Sequence, residues 1–216
     1  MSVSVPTFPS HTAPERRADF IIHAISLSGY FAASALLLRT AFQSGDASLM
    51  VSTGLYSLAV LASILVSFAY HLLPRHDWRA QLRRWDHAAI YTVIAGTFSP
   101  LLLKANTTSA LAILAAIWAL AFSGVWFKLS GDNGDSRWSL ASYLGLGAFS
   151  AIALPDFWAH LPPSTTYAVG AGALFYTIGT AFYRRKGMPY RYPIWHAFGA
   201  VGGFLFFVAV WIAVAA

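Results

Sequence analysis

Seven long, mostly apolar stretches constrain this chain more than anything else in it. They run over about residues 20–39, 48–73, 86–105, 109–128, 138–155, 166–183 and 193–215. A helix needs about 20 mostly apolar residues to cross the roughly 30 Å hydrocarbon core. In lipid, a single segment satisfies its backbone polar groups only as a helix. The connectors are short and rich in turn formers: FQSGDAS, PRHDWRAQLRRW, KANTTS, SGDNGDSR, PDFWAHLPPS and RRKGMPYRYP. None is long enough to divide the chain, and no tandem repeat is visible. The expectation is an all-α integral membrane protein, a bundle of seven transmembrane helices forming one domain over residues 19–216. Only 10% of the residues are charged, against about 25% in a soluble domain. There is no cysteine, which excludes a disulfide scaffold, a thiolate metal site and a cysteine nucleophile.

The net charge of +6 could point to nucleic acid, but the placement of the basic residues gives another cause. With a cytoplasmic N-terminus, Arg16, Arg17, Arg75, Arg79, Arg83, Arg84, Lys128, Arg137, Arg184, Arg185, Lys186 and Arg191 face the cytoplasm. Only Arg39 and Lys104 lie opposite, which completes the 14. Cytoplasmic loops of membrane proteins collect Lys and Arg. The asymmetry therefore predicts N-in, C-out topology in the plasma (inner) membrane, with membrane lipids rather than nucleic acid as partners. The polar, Pro-rich opening MSVSVPTFPSHTAPERRADF lacks a basic region running into a short apolar core and a small-residue cleavage site. Residues 1–18 are expected to form a disordered cytoplasmic tail, with the first span retained rather than cleaved as a signal peptide.

Few ionisable residues fall inside the spans: His23, His71, Asp86, His87 and His196. Such groups are costly in a membrane and are functional candidates by default. Four helix ends bring them to the same cytoplasmic level. Ser67 and His71 are spaced i, i+4, on one helix face. Pro193 suits the first position of the last helix, where its missing N–H costs nothing, so His196 falls in the first turn. His71 lies deepest and has no capping role. Asp86 serves equally as an N-cap, whereas His23 reads first as an interfacial residue and His87 as a neighbour of the head groups beside Arg84. His11, His76 and His160 lie in the tail or loops and are given no role. Imidazoles converging with a carboxylate are what a zinc site needs, and the carboxylate can orient a water or act as base. Trp78, Trp85, Trp126, Trp138, Trp158 and Trp195 sit near span ends, as interfacial anchors do. Glycines in GLGAFS and GAGALFYTIG are expected to let helices approach closely, and Pro100 to kink or end its helix.

The strings SFAYH, RRWDHAAIYTVIAGTFSP, GALFYTIG and MPYRYPIWHAF, in this order across the spans, resemble bacterial hemolysin III proteins. That family belongs with the progestin and adiponectin receptor superfamily and is more distantly related to alkaline ceramidases. The resemblance implies an N-in seven-helix bundle with zinc on the cytoplasmic side. Ser67, His71, Asp86 and His196 occupy the positions of its motif residues. The first histidine of the family's seventh-span pair is missing: Tyr192 stands at the four-residue spacing and Arg191 at five. Phe206 stands where many members carry a later histidine. His71 and His196 are thus the implied ligands, with the third left open among His23, Asp86 and Tyr192.

Two functions follow from this resemblance, with a third implied by the family's name. The first is zinc-dependent hydrolysis of a lipid amide or ester, with Asp86 orienting or deprotonating the water and Ser67 supporting it. The second is a non-catalytic membrane sensor or lipid-homeostasis protein, in which the polar cluster locks the bundle. The third is a pore-forming cytolysin, although no span carries the polar stripe an aqueous pore needs.

Overall fold

The computed structural model describes residues 8–216 apart from 11, 75 and 131–136, and leaves out the side chains at 76 and 137–139. Most of the expected tail, His11, Arg75, nearly all of SGDNGDSR and the Trp138 side chain lie outside these described residues. Eight helices follow in order: α1 Ala13–Ser44, α2 Ala47–Leu72, α3 Arg79–Ala105, α4 Thr108–Ser130, α5 Arg137–Ser150, α6 Leu154–His160, α7 Pro163–Tyr183 and α8 Arg191–Ala215. A single 3-10 turn, Ala151–Ala153, joins α5 to α6, and Leu140–His160 is apolar enough to count as one span. That rod and α1, α2, α3, α4 and α8 make six helices able to cross a membrane by length and composition. Helix α7 has 21 residues, but Ser164, Thr165, Thr166, Thr177 and Thr180 dilute its apolar content.

Three element boundaries depart from the sequence expectation. Helix α1 begins at Ala13, inside the stretch read as a disordered tail. Thr12 and Glu15 form a capping box there: the Glu15 N–H donates to Thr12 Oγ1 at 3.3 Å, and the Thr12 N–H to Glu15 Oε2 at 2.9 Å. These bonds satisfy amides that would otherwise be unpaired in the first turn. Helix α3 begins at Arg79 rather than near 86. The buried Arg79 guanidinium donates to the Tyr70 and Leu73 carbonyls at the end of α2, so this connector residue holds two helix ends together. Helix α6 starts one residue before the connector PDFWAHLPPS and takes in its first six residues. Pro155 suits its first turn, and Phe157 is fully buried, stacked on Phe98 at 6.0 Å.

Helix α3 is the centre of the bundle, packing against α2, α4, α8, α5 and α6. Helices α7 and α8 share the most extensive interface, and α1 packs against both α2 and α8. The core runs through Tyr30, Leu37, Tyr56, Leu101, Leu102, Ile117, Phe157 and Val210. Lipid tails are as apolar as these side chains, so close packing rather than water exclusion drives helix association. A Cβ on Gly172 would stand 3.0 Å from the Gly202 carbonyl, and one on Gly202 would stand 3.0 Å from the Gly172 carbonyl. The two helices therefore touch backbone to backbone. Gly179 likewise accommodates Phe198. Gly145 and Gly147 of GLGAFS have nothing within 4 Å of a Cβ, so this pair makes no such contact. Pro100 does not end α3, which continues to Ala105; hydroxyls of Thr97 and Ser99 bond carbonyls one turn back, as polar side chains do beside a proline in lipid. Trp78, Trp85, Trp126 and Trp158 are exposed as expected of anchors. Trp195 instead packs between Tyr176 and Tyr183.

Candidate metal centre

The residue that organises the site is Asp19, which the sequence reading left at the edge of the tail. Because α1 starts at Ala13, Asp19 and His23 fall one turn apart on its inward face, following Glu15 at the same spacing. All three are buried, Asp19 completely. Glu15 accepts a hydrogen bond at Oε1 from the Tyr190 N–H at 2.8 Å. Tyr190 has a φ of 55° and immediately precedes α8. The start of α8 is thereby fixed against α1, and His196 comes round to Asp19. Its Nδ1 lies 2.5 Å from Asp19 Oδ1.

Two more imidazoles complete the cluster. His23 Nδ1 donates to the Asp19 carbonyl at 2.8 Å, which turns Nε2 toward Ser67 Oγ at 3.2 Å. His71, at the end of α2, places Nδ1 3.6 Å from Asp19 Oδ2. The ring centroids of His23 and His71 each lie 4.5 Å from that of His196 and 6.2 Å from one another. Asp19, His23 and His196 offer ligand atoms that all lie within 4.8 Å of one another.

A buried carboxylate needs a cation, a metal or hydrogen-bond donors to offset its lost hydration. Asp19 has only a partial set. Its Oδ1 accepts from His196, whereas Oδ2 and the facing His71 Nδ1 are both buried without a hydrogen-bond partner. Orphaned buried polar atoms cost about 1–3 kcal/mol each. A divalent cation among these groups would satisfy both atoms together. Three imidazoles and a carboxylate, with no thiolate, are a donor set suited to zinc and related first-row ions. The residues present fit a metal of this class.

The remaining candidates fall around this centre. Asp86 interacts with the Ser67 side chain and sits two turns inside α3, so it is not an N-cap. Asp86 is within electrostatic reach of His196 and Asp19 but outside the group of converging ligands. Tyr192 packs its ring 4.9 Å from that of His71, with the Arg191 guanidinium 4.4 Å above it. It forms a wall of the site. His87 is not a member of the group, and His160 bonds the Asp156 carbonyl among α6 residues. The sequence reading took His71 and His196 as ligands and left the third open among His23, Asp86 and Tyr192; the fold brings His23 and His196 together with Asp19 and sets His71 against Asp19 Oδ2. The missed signal was the capping box Thr-x-x-Glu and the Glu15, Asp19, His23 spacing, both of which mark a helix beginning before the apolar run.

Comparison with known proteins identifies the family. The family model described as haemolysin-III related matches residues 14–215. A hemolysin-3 homolog of Bacillus subtilis (strain 168) is 30% identical over 200 residues, covering 92% of this chain and 94% of that protein. Hemolysin-3 of Bacillus cereus is 28% identical over 197 residues, covering 91% and 90%. The human monocyte to macrophage differentiation factor is 25% identical over 224 aligned positions, covering 94% and 90%. Coverage nearly end to end in each case, together with six membrane-length helices, makes this chain an integral membrane protein of the haemolysin-III-related family.

Proposed function

We propose that the protein is a zinc-dependent hydrolase of a lipid amide or ester in the plasma membrane. In this reading α7 is the seventh crossing, and the His/Asp centre lies at the cytoplasmic side with the N-terminus. The observation that carries the proposal is the pair of buried, unpartnered atoms facing one another, Asp19 Oδ2 and His71 Nδ1. Asp19, His23 and His196 would hold the ion, with His71 Nδ1, facing Asp19 Oδ2, as a further donor to it. When bound, zinc supplies Lewis-acid polarisation of a carbonyl and acidifies water. Asp86 is the base, receiving a proton and returning it to the leaving amine or alcohol. Ser67, hydrogen-bonded to His23 and interacting with Asp86, keeps that carboxylate beside the centre.

The test combines metal analysis with lipid turnover. About one zinc per chain is expected in the wild type and less than a tenth of that in Asp19→Ala and His196→Ala. Asp86→Asn should keep its zinc but lose fatty-acid release from a panel of ceramides and acyl esters. A wild-type protein without zinc, or one whose Asp86→Asn variant turns over lipid normally, would sink the mechanism.

One observation favours a second reading. The 2.5 Å Asp19–His196 bond ties α1 directly to α8, as a structural lock in a sensor would. Zinc-free wild type with intact thermal stability, lost in His196→Ala, is the outcome expected of that lock. A cytolytic pore along the bundle axis gains no support, because Tyr30, Leu37, Tyr56, Leu101 and Leu102 fill the interior.

A further inference from the structure

An open cleft of about 600 Å³ lies on the outer side of α1 and α2, at the same end of the bundle as the metal centre. Its lining is ordered by helical spacing. Arg16 and Phe20, and likewise Arg17 and Ile21, are i, i+4 pairs on α1, so each guanidinium stands one turn before an exposed apolar side chain. Phe68 and Leu72 form the matching apolar row on α2. Phe8 closes one side, its ring held between the guanidiniums of Arg16 at 5.0 Å and Arg79 at 5.2 Å. Among the described residues the lining includes no carboxylate, because Glu15 and Asp19 of the same helix turn point inward and are buried. Polarity therefore changes along the cleft in one direction, from paired cations at the helix start to hydrocarbon farther in. That gradient runs as it does through a lipid molecule lying along the bilayer normal.

We infer that this cleft is a binding site for an anionic lipid, with a phosphate or carboxylate head group on Arg16 and Arg17 and its acyl chain against Phe20, Ile21, Phe68 and Leu72. Charge complementarity selects the occupant. A zwitterionic head group would bring its own cation to the two guanidiniums and lose most of the attraction. Basic residues near a membrane surface draw anionic lipid, and a pair of them gives roughly a tenfold preference or more. The Phe68 ring separates the cleft from the metal centre, lying 6.0 Å from Phe20 on one side and 6.2 Å from His23 on the other. The site does not depend on the hydrolase reading.

The experiment is native mass spectrometry of the full chain released from nanodiscs. The probes are phosphatidylglycerol, phosphatidylcholine with the same chains, and oleate. Wild type should retain phosphatidylglycerol or oleate about tenfold over phosphatidylcholine, the two arms distinguishing a phosphate from a carboxylate head group. Arg16→Gln with Arg17→Gln should fall to the phosphatidylcholine level. Arg184→Gln with Arg185→Gln, which removes the same charge elsewhere, should keep the preference. Ile21→Trp, at an exposed position, should cut retention several-fold with no change in melting temperature. Equal retention of phosphatidylcholine, equal loss in both arginine pairs, or normal retention by Ile21→Trp would overturn the site. So would a wild type that retains no lipid, the outcome if another part of the chain or a second copy fills the cleft.

Discussion

Asp19 meets three imidazoles rather than an arginine or lysine, and this choice of partners decides what the site can do. A guanidinium would neutralise the carboxylate and leave nothing for an ion; imidazoles share it and keep their own lone pairs. Asp19→Asn preserves shape while removing the charge, so it should weaken metal binding by about 10–100-fold without unfolding the bundle, as read by metal titration beside a melting curve. Tyr192 tests the converse. Its ring already packs against His71, so Tyr192→His adds an imidazole at the wall of the centre and should slow metal loss to a chelator by about tenfold or more. Of the site residues, His23, His71, His196, Asp86 and Ser67 were legible in the sequence as polar groups near helix ends. Asp19 was not, because a hydropathy reading begins where charge stops, whereas the helix begins at its cap.

At the scale of the element, helix ends carry the arrangement. Glu15 bridges the first turn of α1 to the Tyr190 amide that opens α8. Glu15→Ala removes this part-buried hydrogen bond, which should cost about 0.5–1.5 kcal/mol and lower metal affinity as well, since His196 rides on the same helix. Gly172 and Gly202 set the spacing of α7 and α8. Gly202→Ala should cost about 1–3 kcal/mol by overpacking, whereas Gly145→Ala, facing open space, should be neutral or better; thermal unfolding in detergent separates the two. The start of α2 gives a pH signature. The Ser48 hydroxyl first, then the Leu49 and Ser48 amides, hold the Asp46 carboxyl below its ordinary range. A depressed carboxyl contributes its stabilisation above the unfolded value and loses it as pH falls through the folded one. Amide protection at Ser48 and Leu49 should therefore hold at pH 5 and above and fade only below about pH 4.

At the scale of the whole molecule, membrane embedding and charge set the frame. Basic residues of the described chain gather at the end that holds the metal centre, and only Arg39 and Lys104 lie at the other. Fusions to the C-terminus should therefore report an extracytoplasmic location, with alkaline phosphatase active and green fluorescent protein dark, and the reverse for the N-terminus. The central position of α3 explains why its apolar residues are the most thoroughly buried of any helix, and why a proline within it is tolerated. An interior filled by aromatic and aliphatic side chains leaves chemistry to the polar end.

The sequence by itself determined that this chain is helical and lies in a membrane, and where most of its helices run. Hydropathy, connector composition and basic-residue placement are local, additive properties that need no knowledge of neighbours. It also placed the histidines near one end of their helices. Only the tertiary structure decided which of them share a centre. That depends on the rotation of each helix about its axis and on where two helices cross, and neither is written in a run of apolar residues. The early start of α1, the Glu15 bridge to α8 and the glycine contact between α7 and α8 fix those rotations. They bring Asp19, near the beginning of the chain, to His196, near its end.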